Sequence, residues 1–96
     1  MEGKNKCACG LSDVRVVACS GGSNVGQIAN QAAVMLAKEK VAGFFWLAGI
    51  GAHIKSMVRS GKEADLIISI DGCPVQCAAK TMQHAEIEPA IQIIVN

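Results

Sequence analysis

Five cysteines are the residues of this 96-residue chain that are best suited to chemistry. Cys73 and Cys77 lie in the segment 70–77 (IDGCPVQC), where an apolar run ends in Asp-Gly and a proline follows the first cysteine. Pro74 suits the first position of a helix, where its missing N–H leaves no hydrogen bond unmade. Helical side chains four residues apart share a face. The spacing therefore predicts a strand, a tight turn and a helix that brings the thiols of Cys73 and Cys77 together.

A third cysteine, Cys19, is expected near this pair. It ends an apolar run that starts at Val14 and predicts a strand. The small residues of segment 20–24 (SGGSN) then lead into an amphipathic helix. The carboxyl ends of parallel strands meet at one edge of a sheet, where such folds bind ligands. We therefore expect Cys19, Cys73 and Cys77 to share that edge.

Converging thiolates point first to zinc, which takes thiolate or imidazole ligands in tetrahedral sites. The positive end of a helix favours the thiolate form that binds metal, and two predicted helices begin beside these cysteines. A fourth ligand is available in residues 1–13, an irregular polar lead-in that contains Cys9 and Cys7. The predicted ligands are Cys19, Cys73 and Cys77, with Cys9 ahead of Cys7 as the fourth.

Thiol chemistry is the alternative interpretation of Cys19, Cys73 and Cys77. A reactive thiol beside a resolving thiol is the pattern that a redox or sulfur-transfer protein requires. Phosphatase chemistry is disfavoured, because segment 20–27 contains no arginine to grip an oxyanion. A cysteine can also be buried simply as a small hydrophobic residue. That would account for one cysteine at a strand end, but it accounts poorly for three at the same edge of the sheet.

Three polar side chains have secondary roles in this interpretation. Asp71 is expected to cap the helix that follows it or to fix the turn. His53 is predicted near the start of the second helix at the same carboxyl edge, as an ordinary polar residue, a metal ligand or a proton carrier. His84 falls late in the third predicted helix and is expected to be a surface residue.

Composition narrows the functional classes further. The chain is 51% hydrophobic but only 3% aromatic, so it has the apolar content for one aliphatic core. Its nine basic and eight acidic residues form no blocks, which argues against nucleic acid as a partner. The longest apolar run is too short to span a bilayer. With no signal peptide recognised at the start, the sequence predicts a cytoplasmic protein with reduced thiols, whose protein partner or substrate is undefined.

Apolar runs alternate with helical patterns along the chain. Strands are predicted from Val14, over Val41–Leu47, over Leu66–Ile70 and over 91–95, and Gly61 is expected to end the second helix. Alternating strands and helices are typical of a parallel sheet with right-handed crossovers. The predicted fold is a single domain over 1–96, a small doubly wound α/β fold of about four parallel strands with helices on both faces. Its topology is flavodoxin- or Rossmann-like, with strand order 2-1-3-4.

Three ordered motifs resemble those of the DGC-domain proteins, a family named for the Asp-Gly-Cys sequence found here at 71–73. They are segment 19–26 (CSGGSNVG), segment 47–51 (LAGIG) and segment 70–78 (IDGCPVQCA). The resemblance implies zinc bound through four cysteines, three of which match Cys19, Cys73 and Cys77. The family's fourth cysteine is expected directly before LAGIG, where this chain has Trp46. The resemblance therefore implies one of three sites: one in which Cys7 or Cys9 replaces the missing ligand, one with three thiolates and a fourth position that water or His53 fills, or a degenerate one that no longer binds metal.

Overall fold

The computed structural model describes residues 13–96. Four strands and four helices form its regular structure over that range. In chain order they are β1 Val14–Ala18, α1 Asn24–Lys38, β2 Gly43–Phe44, α2 Leu47–Gly51, α3 Lys55–Glu63, β3 Leu66–Asp71, α4 Cys77–His84 and β4 Ile91–Ile94. None of the helices within residues 13–96 has the length and apolar character that crossing a bilayer requires.

The four strands form one sheet in which all neighbours are parallel. Their order is β2-β1-β3-β4, so the predicted strand order is confirmed. The central pair, β1 and β3, is in register from Val14 opposite Leu66 to Ala18 opposite Ile70. Both strands therefore end at the same level, and the loops that follow them start side by side.

Side-chain alternation along β3 builds two separate cores, one on each face of the sheet. Ile68 and Ile70 pack toward the face covered by α1, with Ala29 and Ala33 of that helix. Ile67 points to the opposite face. The core cluster there contains residues from the other helices and from the segments beside them: Phe45, Ile50, Ala78, Met82, Ala85 and Ile87. Helices thus cover both faces, which confirms the doubly wound α/β fold.

An arginine network ties the start of the sheet to α3. The guanidinium of Arg15 donates to both carboxylate oxygens of Asp13, at 3.0 and 2.8 Å. It also donates to the carbonyl and the hydroxyl oxygens of Ser60, at 2.9 and 2.6 Å, and lies 5.0 Å from the ring centre of Phe45. The hydrogen bond to Asp13 raises the pKa of Arg15 above its ordinary value. This network lies at the amino end of β1, away from the cysteines.

The segment between β1 and β3 differs from its prediction. The second strand is only two residues long, Gly43–Phe44, instead of Val41–Leu47. The second helix is divided into α2 and α3, because His53 has a left-handed backbone (φ 57°). Gly61 does not end a helix but is buried inside α3, where a Cβ would lie 2.9 Å from Ile87 Cδ1. Gly61 packs closely against side chains of the core and α3 continues beyond it, so its predicted role as a helix stop was wrong.

The predicted helix start at Pro74 was also wrong. Cys73 is held in a turn in which the N–H of Gln76 donates to its carbonyl at 3.1 Å. Gln76 is left-handed (φ 59°), and α4 begins only at Cys77. Cys73 and Cys77 are therefore not one turn apart on the same helix, since a turn with a reversed backbone angle separates them.

Candidate functional site

The crevice between the carboxyl ends of β1 and β3 is where this topology places a ligand. The helix that follows β1 packs on one face of the sheet, and the helix that follows β3 packs on the other. The two loops therefore diverge at this point, and doubly wound folds bind ligands where neighbouring loops diverge. Cys19 is the first residue after β1, and Cys73 is the second residue after β3.

Asp71 fixes the direction of α4. Its side chain is 1% exposed, and its two carboxylate oxygens accept the N–H groups of Ala78 at 2.6 Å and Ala79 at 3.2 Å. These donors would otherwise be unpaired at the first turn of the helix. The prediction that Asp71 caps this helix is confirmed. The capping also explains the late start of α4, because the carboxylate binds N–H groups seven and eight residues further along.

Gly72 lets the β3–α4 loop lie directly against the start of α1. A Cβ at this position would lie 2.7 Å from the backbone nitrogen of Gly26 and 2.8 Å from the carbonyl oxygen of Val25. Gly26 is equally constrained, since its own Cβ would lie 2.7 Å from the backbone of Gly21. The backbones at Gly21, at Val25 and Gly26, and at Gly72 are thus in direct contact, with no side chain between them. The glycine of the Asp-Gly-Cys motif has a packing role, beside the capping role of its aspartate.

The same stacking brings Cys19 into contact with the motif. The backbone N–H of Gly72 donates to Cys19 Sγ at 3.4 Å, and the N–H of Cys19 donates to the carbonyl of Ile70 at 3.2 Å. A hydrogen bond donated to sulfur stabilises negative charge on it. The Cys19 thiol is therefore joined to the loop that carries Cys73.

The three described cysteines differ in exposure. Cys19 and Cys73 are partly buried, whereas Cys77, the first residue of α4, is exposed, and all three are free thiols. Within residues 13–96, no three His, Cys, Asp or Glu side chains come together in a group that could hold a metal ion. Cys7 and Cys9, the predicted sources of a fourth ligand, lie outside the described residues. The ligand set inferred from the sequence therefore stays a prediction.

A cavity of about 450 Å³ opens beside Cys19. Its walls are mostly apolar and include Phe44, Trp46 and Leu47, with Thr81 of α4 on one side. Trp46 is 62% exposed, so it is not a core residue but a wall of this cavity. The residue that stands where the family's fourth cysteine is expected thus lines the same space as Cys19.

The two histidines contact each other, which the sequence pattern did not predict. His53 lies between α2 and α3, directly before the N-cap of α3, and its ring contacts His84 at the far end of α4. It is therefore directed away from the carboxyl edge. His84 is exposed, as predicted, but it has a partner. The pairing depends on how α2 packs against α4, which the sequence pattern does not specify.

Comparison with known proteins identifies a family for this chain. The family model described as DGC domain matches residues 15–96. The protein named "Anaerobic and virulence modulator AnvM", from Pseudomonas aeruginosa, is 33% identical over 81 residues, which cover 84% of this chain. The match spans 62% of that relative's own length. No solved structure matches the chain. From its family match and its buried Asp-Gly-Cys turn, the chain belongs to the DGC-domain family.

Proposed function

We propose that this protein binds zinc through cysteine thiolates at the carboxyl edge of its sheet. Cys19, Cys73 and Cys77 are the proposed ligands, with Cys9 ahead of Cys7 as the fourth. The observation that carries the proposal is the hydrogen bond from the Gly72 N–H to Cys19 Sγ, which joins the two cysteine-bearing loops. This contact lies where the topology favours ligand binding.

The donor set fits zinc in its chemistry, because thiolates are the ligands that structural zinc sites use most. The N-terminus of α4, with Cys77 as its first residue, adds a positive dipole that offsets charge on neighbouring thiolates. Within residues 13–96 the three cysteines are not grouped as metal ligands, so zinc binding requires the cysteine-bearing loops to move closer, and the proposal assigns the fourth sulfur to Cys9. Bound zinc would cross-link the β1–α1 loop, the β3–α4 loop and that lead-in.

A structural or regulatory role follows from this arrangement more directly than a catalytic one. A cross-link between loops changes the shape of one edge of the sheet without requiring a substrate. The name of the Pseudomonas aeruginosa relative, a modulator, is consistent with a regulatory role. Free thiols at the edge suit a reducing compartment, and the cytoplasm is the proposed location.

Single cysteine-to-serine variants test the ligand set. Zinc affinity would be measured in competition with a chromophoric chelator for the wild type and for five variants, at positions 7, 9, 19, 73 and 77. Loss of a true ligand should weaken zinc binding by about tenfold or more, since losing even an outer partner of a ligand costs roughly 10–100-fold. Cys19→Ser, Cys73→Ser, Cys77→Ser and Cys9→Ser should show this loss, and Cys7→Ser should not. Unchanged affinity in Cys19→Ser would refute the proposal.

Thiol exchange is a second candidate, favoured by the cavity beside Cys19. A volume of about 450 Å³ falls in the range of small-molecule sites, and its apolar wall includes Trp46. In this mechanism the Cys19 thiolate attacks one sulfur of a small disulfide, forms a mixed disulfide and releases the other half as a thiol. A second thiolate, at Cys73 or Cys77, then attacks Cys19 Sγ. This step forms a disulfide within the chain and releases the bound half as a thiolate.

Peptide mapping after treatment with a small aromatic disulfide tests this candidate. A mixed disulfide at Cys19 that forms faster than at the more exposed Cys77 would support it. Faster modification of Cys77 would contradict it, since exposure alone would then account for the reactivity.

A further inference from the structure

The two histidines of the chain form a pair on the face of the protein that α2 and α4 build. The imidazoles of His53 and His84 form a hydrogen bond, with 3.2 Å between His53 Nε2 and His84 Nδ1, and the ring centres are 5.1 Å apart with planes at 69°. Both side chains are exposed, and they line a cavity of about 260 Å³ with Gly51, Lys80 and Thr81. Two ring nitrogens thus face each other where solvent can reach them.

This spacing fits a metal ion held between the rings. Zinc–imidazole bonds are about 2.0–2.1 Å long, so two nitrogens on one tetrahedral zinc lie about 3.3–3.4 Å apart. The observed separation of 3.2 Å differs from that by only a few tenths of an ångström. We propose that His53 and His84 chelate a divalent transition metal ion, with water in its remaining positions. Imidazole suits Zn²⁺, Ni²⁺ and Cu²⁺, and this site requires no cysteine.

The backbone at His53 fixes the position of its side chain. The N–H of His53 donates to the carbonyl of Ile50 at 2.9 Å, and the N–H of Ile54 donates to that of Gly49 at 3.1 Å. These two bonds form the Schellman motif that ends α2, with His53 at the left-handed position where glycine is preferred. A histidine there is less favourable than glycine for the backbone. The imidazole is therefore placed at a conformational cost.

The charges around the pair both favour and oppose a cation. His84 is the last residue of α4, and the C-terminal end of a helix carries partial negative charge that stabilises a nearby cation. Lys80 lines the same cavity and opposes a bound cation. Three further cationic side chains also oppose it, since they line a neighbouring cavity with His53: Lys55, Arg59 and Lys62. The flexible, exposed side chain of Lys80 can turn into solvent.

Nickel binding to the tag-free, metal-stripped chain with its five cysteines alkylated tests the proposal, because the proposed thiolate ligands would otherwise compete for the ion. Ni²⁺ is paramagnetic and broadens the NMR signals of nuclei near it. Substoichiometric Ni²⁺ should broaden the amide signals of residues 51–54 and 83–85 before any others. In calorimetric titrations, His53→Gly and His84→Gln should each bind Ni²⁺ about tenfold or more weakly than the wild type, because a chelate becomes a single ligand.

The variants are chosen so that a change in Ni²⁺ affinity does not come from loss of folding. Glycine is the preferred residue at the backbone angle of His53, so His53→Gly should fold at least as stably as the wild type. Gln31→Ala, at an exposed position of α1 on the other face of the sheet, is the control and should leave this Ni²⁺ affinity unchanged. Equal affinity in the wild type and in His53→Gly would overturn the proposal. With the thiols alkylated, broadening centred away from residues 51–54 and 83–85 would also overturn it.

Discussion

Gly72→Ala is expected to destabilise the fold through one backbone contact. A Cβ at Gly72 would lie 2.7 Å from the nitrogen of Gly26 and from the carbonyl carbon of Val25. Ordinary contact begins near about 3.4 Å, so the two segments must separate by about 0.7 Å. All the atoms involved belong to the backbone, so no side chain can rotate to relieve the overlap.

The magnitude follows from two opposing terms. Overpacking at a site that cannot adjust costs typically about 1–3 kcal/mol. Replacing glycine by alanine also restricts the unfolded chain, which returns roughly 0.4–1 kcal/mol. The expected net loss is about 1–2 kcal/mol in the free energy of unfolding. In a domain of this size each kcal/mol lowers the Tm by about 4–8 °C. The movement should also weaken the hydrogen bond from Gly72 to Cys19, and thereby alter the thiol site.

Urea unfolding of Gly72→Ala and of Gly22→Ala would measure the effect. Gly22 is the matched control, because a Cβ there would meet nothing within 4 Å. It lies in the loop after β1, and its substitution should be neutral or slightly stabilising. Equal stability of the two variants would refute the reasoning that the Asp-Gly-Cys glycine is required for close backbone approach.

Three further substitutions separate the functions of individual side chains. Asp71→Ala should lower the free energy of unfolding by about 2–3 kcal/mol, because two buried N–H groups of α4 lose their acceptor; a loss under about 0.5 kcal/mol in urea unfolding would contradict this. Arg15→Ala should cost about 1–2 kcal/mol through its lost hydrogen bonds, while the alkylation rate of Cys19 stays unchanged; a changed rate would show that the two ends of β1 are coupled. Trp46→Cys places a sulfur in the cavity beside Cys19 and should raise zinc affinity by about tenfold or more. Unchanged affinity in a zinc titration would mean that position 46 cannot reach the metal.

Much of the fold could be predicted because hydrophobic patterns are local. The apolar runs of β1 and β3 and the helical spacing of α1 determine which faces must be buried, and the strand order then follows common topology. The small residues expected to lead into α1 include its cap, since the hydroxyl oxygen of Ser23 accepts the N–H of Gly26 at 3.2 Å. These features depend on residues near one another in the chain.

The errors arose where tertiary contacts decide the structure. Nothing local indicates that Gly61 would be buried beneath Ile87, or that Gln76 would adopt a left-handed angle before α4. The pairing of His53 with His84 joins residues 31 positions apart and depends on helix packing. The proximity of Cys19 to Gly72 was expected from strand ends in a parallel sheet. The contact through a backbone N–H was not predicted, because it depends on the stacking of loops without side chains.

Metal content and thiol accessibility, measured together on protein purified without a chelator, test the central claim most directly. Elemental analysis gives the zinc per chain, and titration with a thiol reagent gives the number of free cysteines among the five. The zinc proposal predicts one zinc per chain, with the ligand thiols protected until a chelator is added. Protein that contains no zinc and in which Cys19, Cys73 and Cys77 all react at once would contradict it.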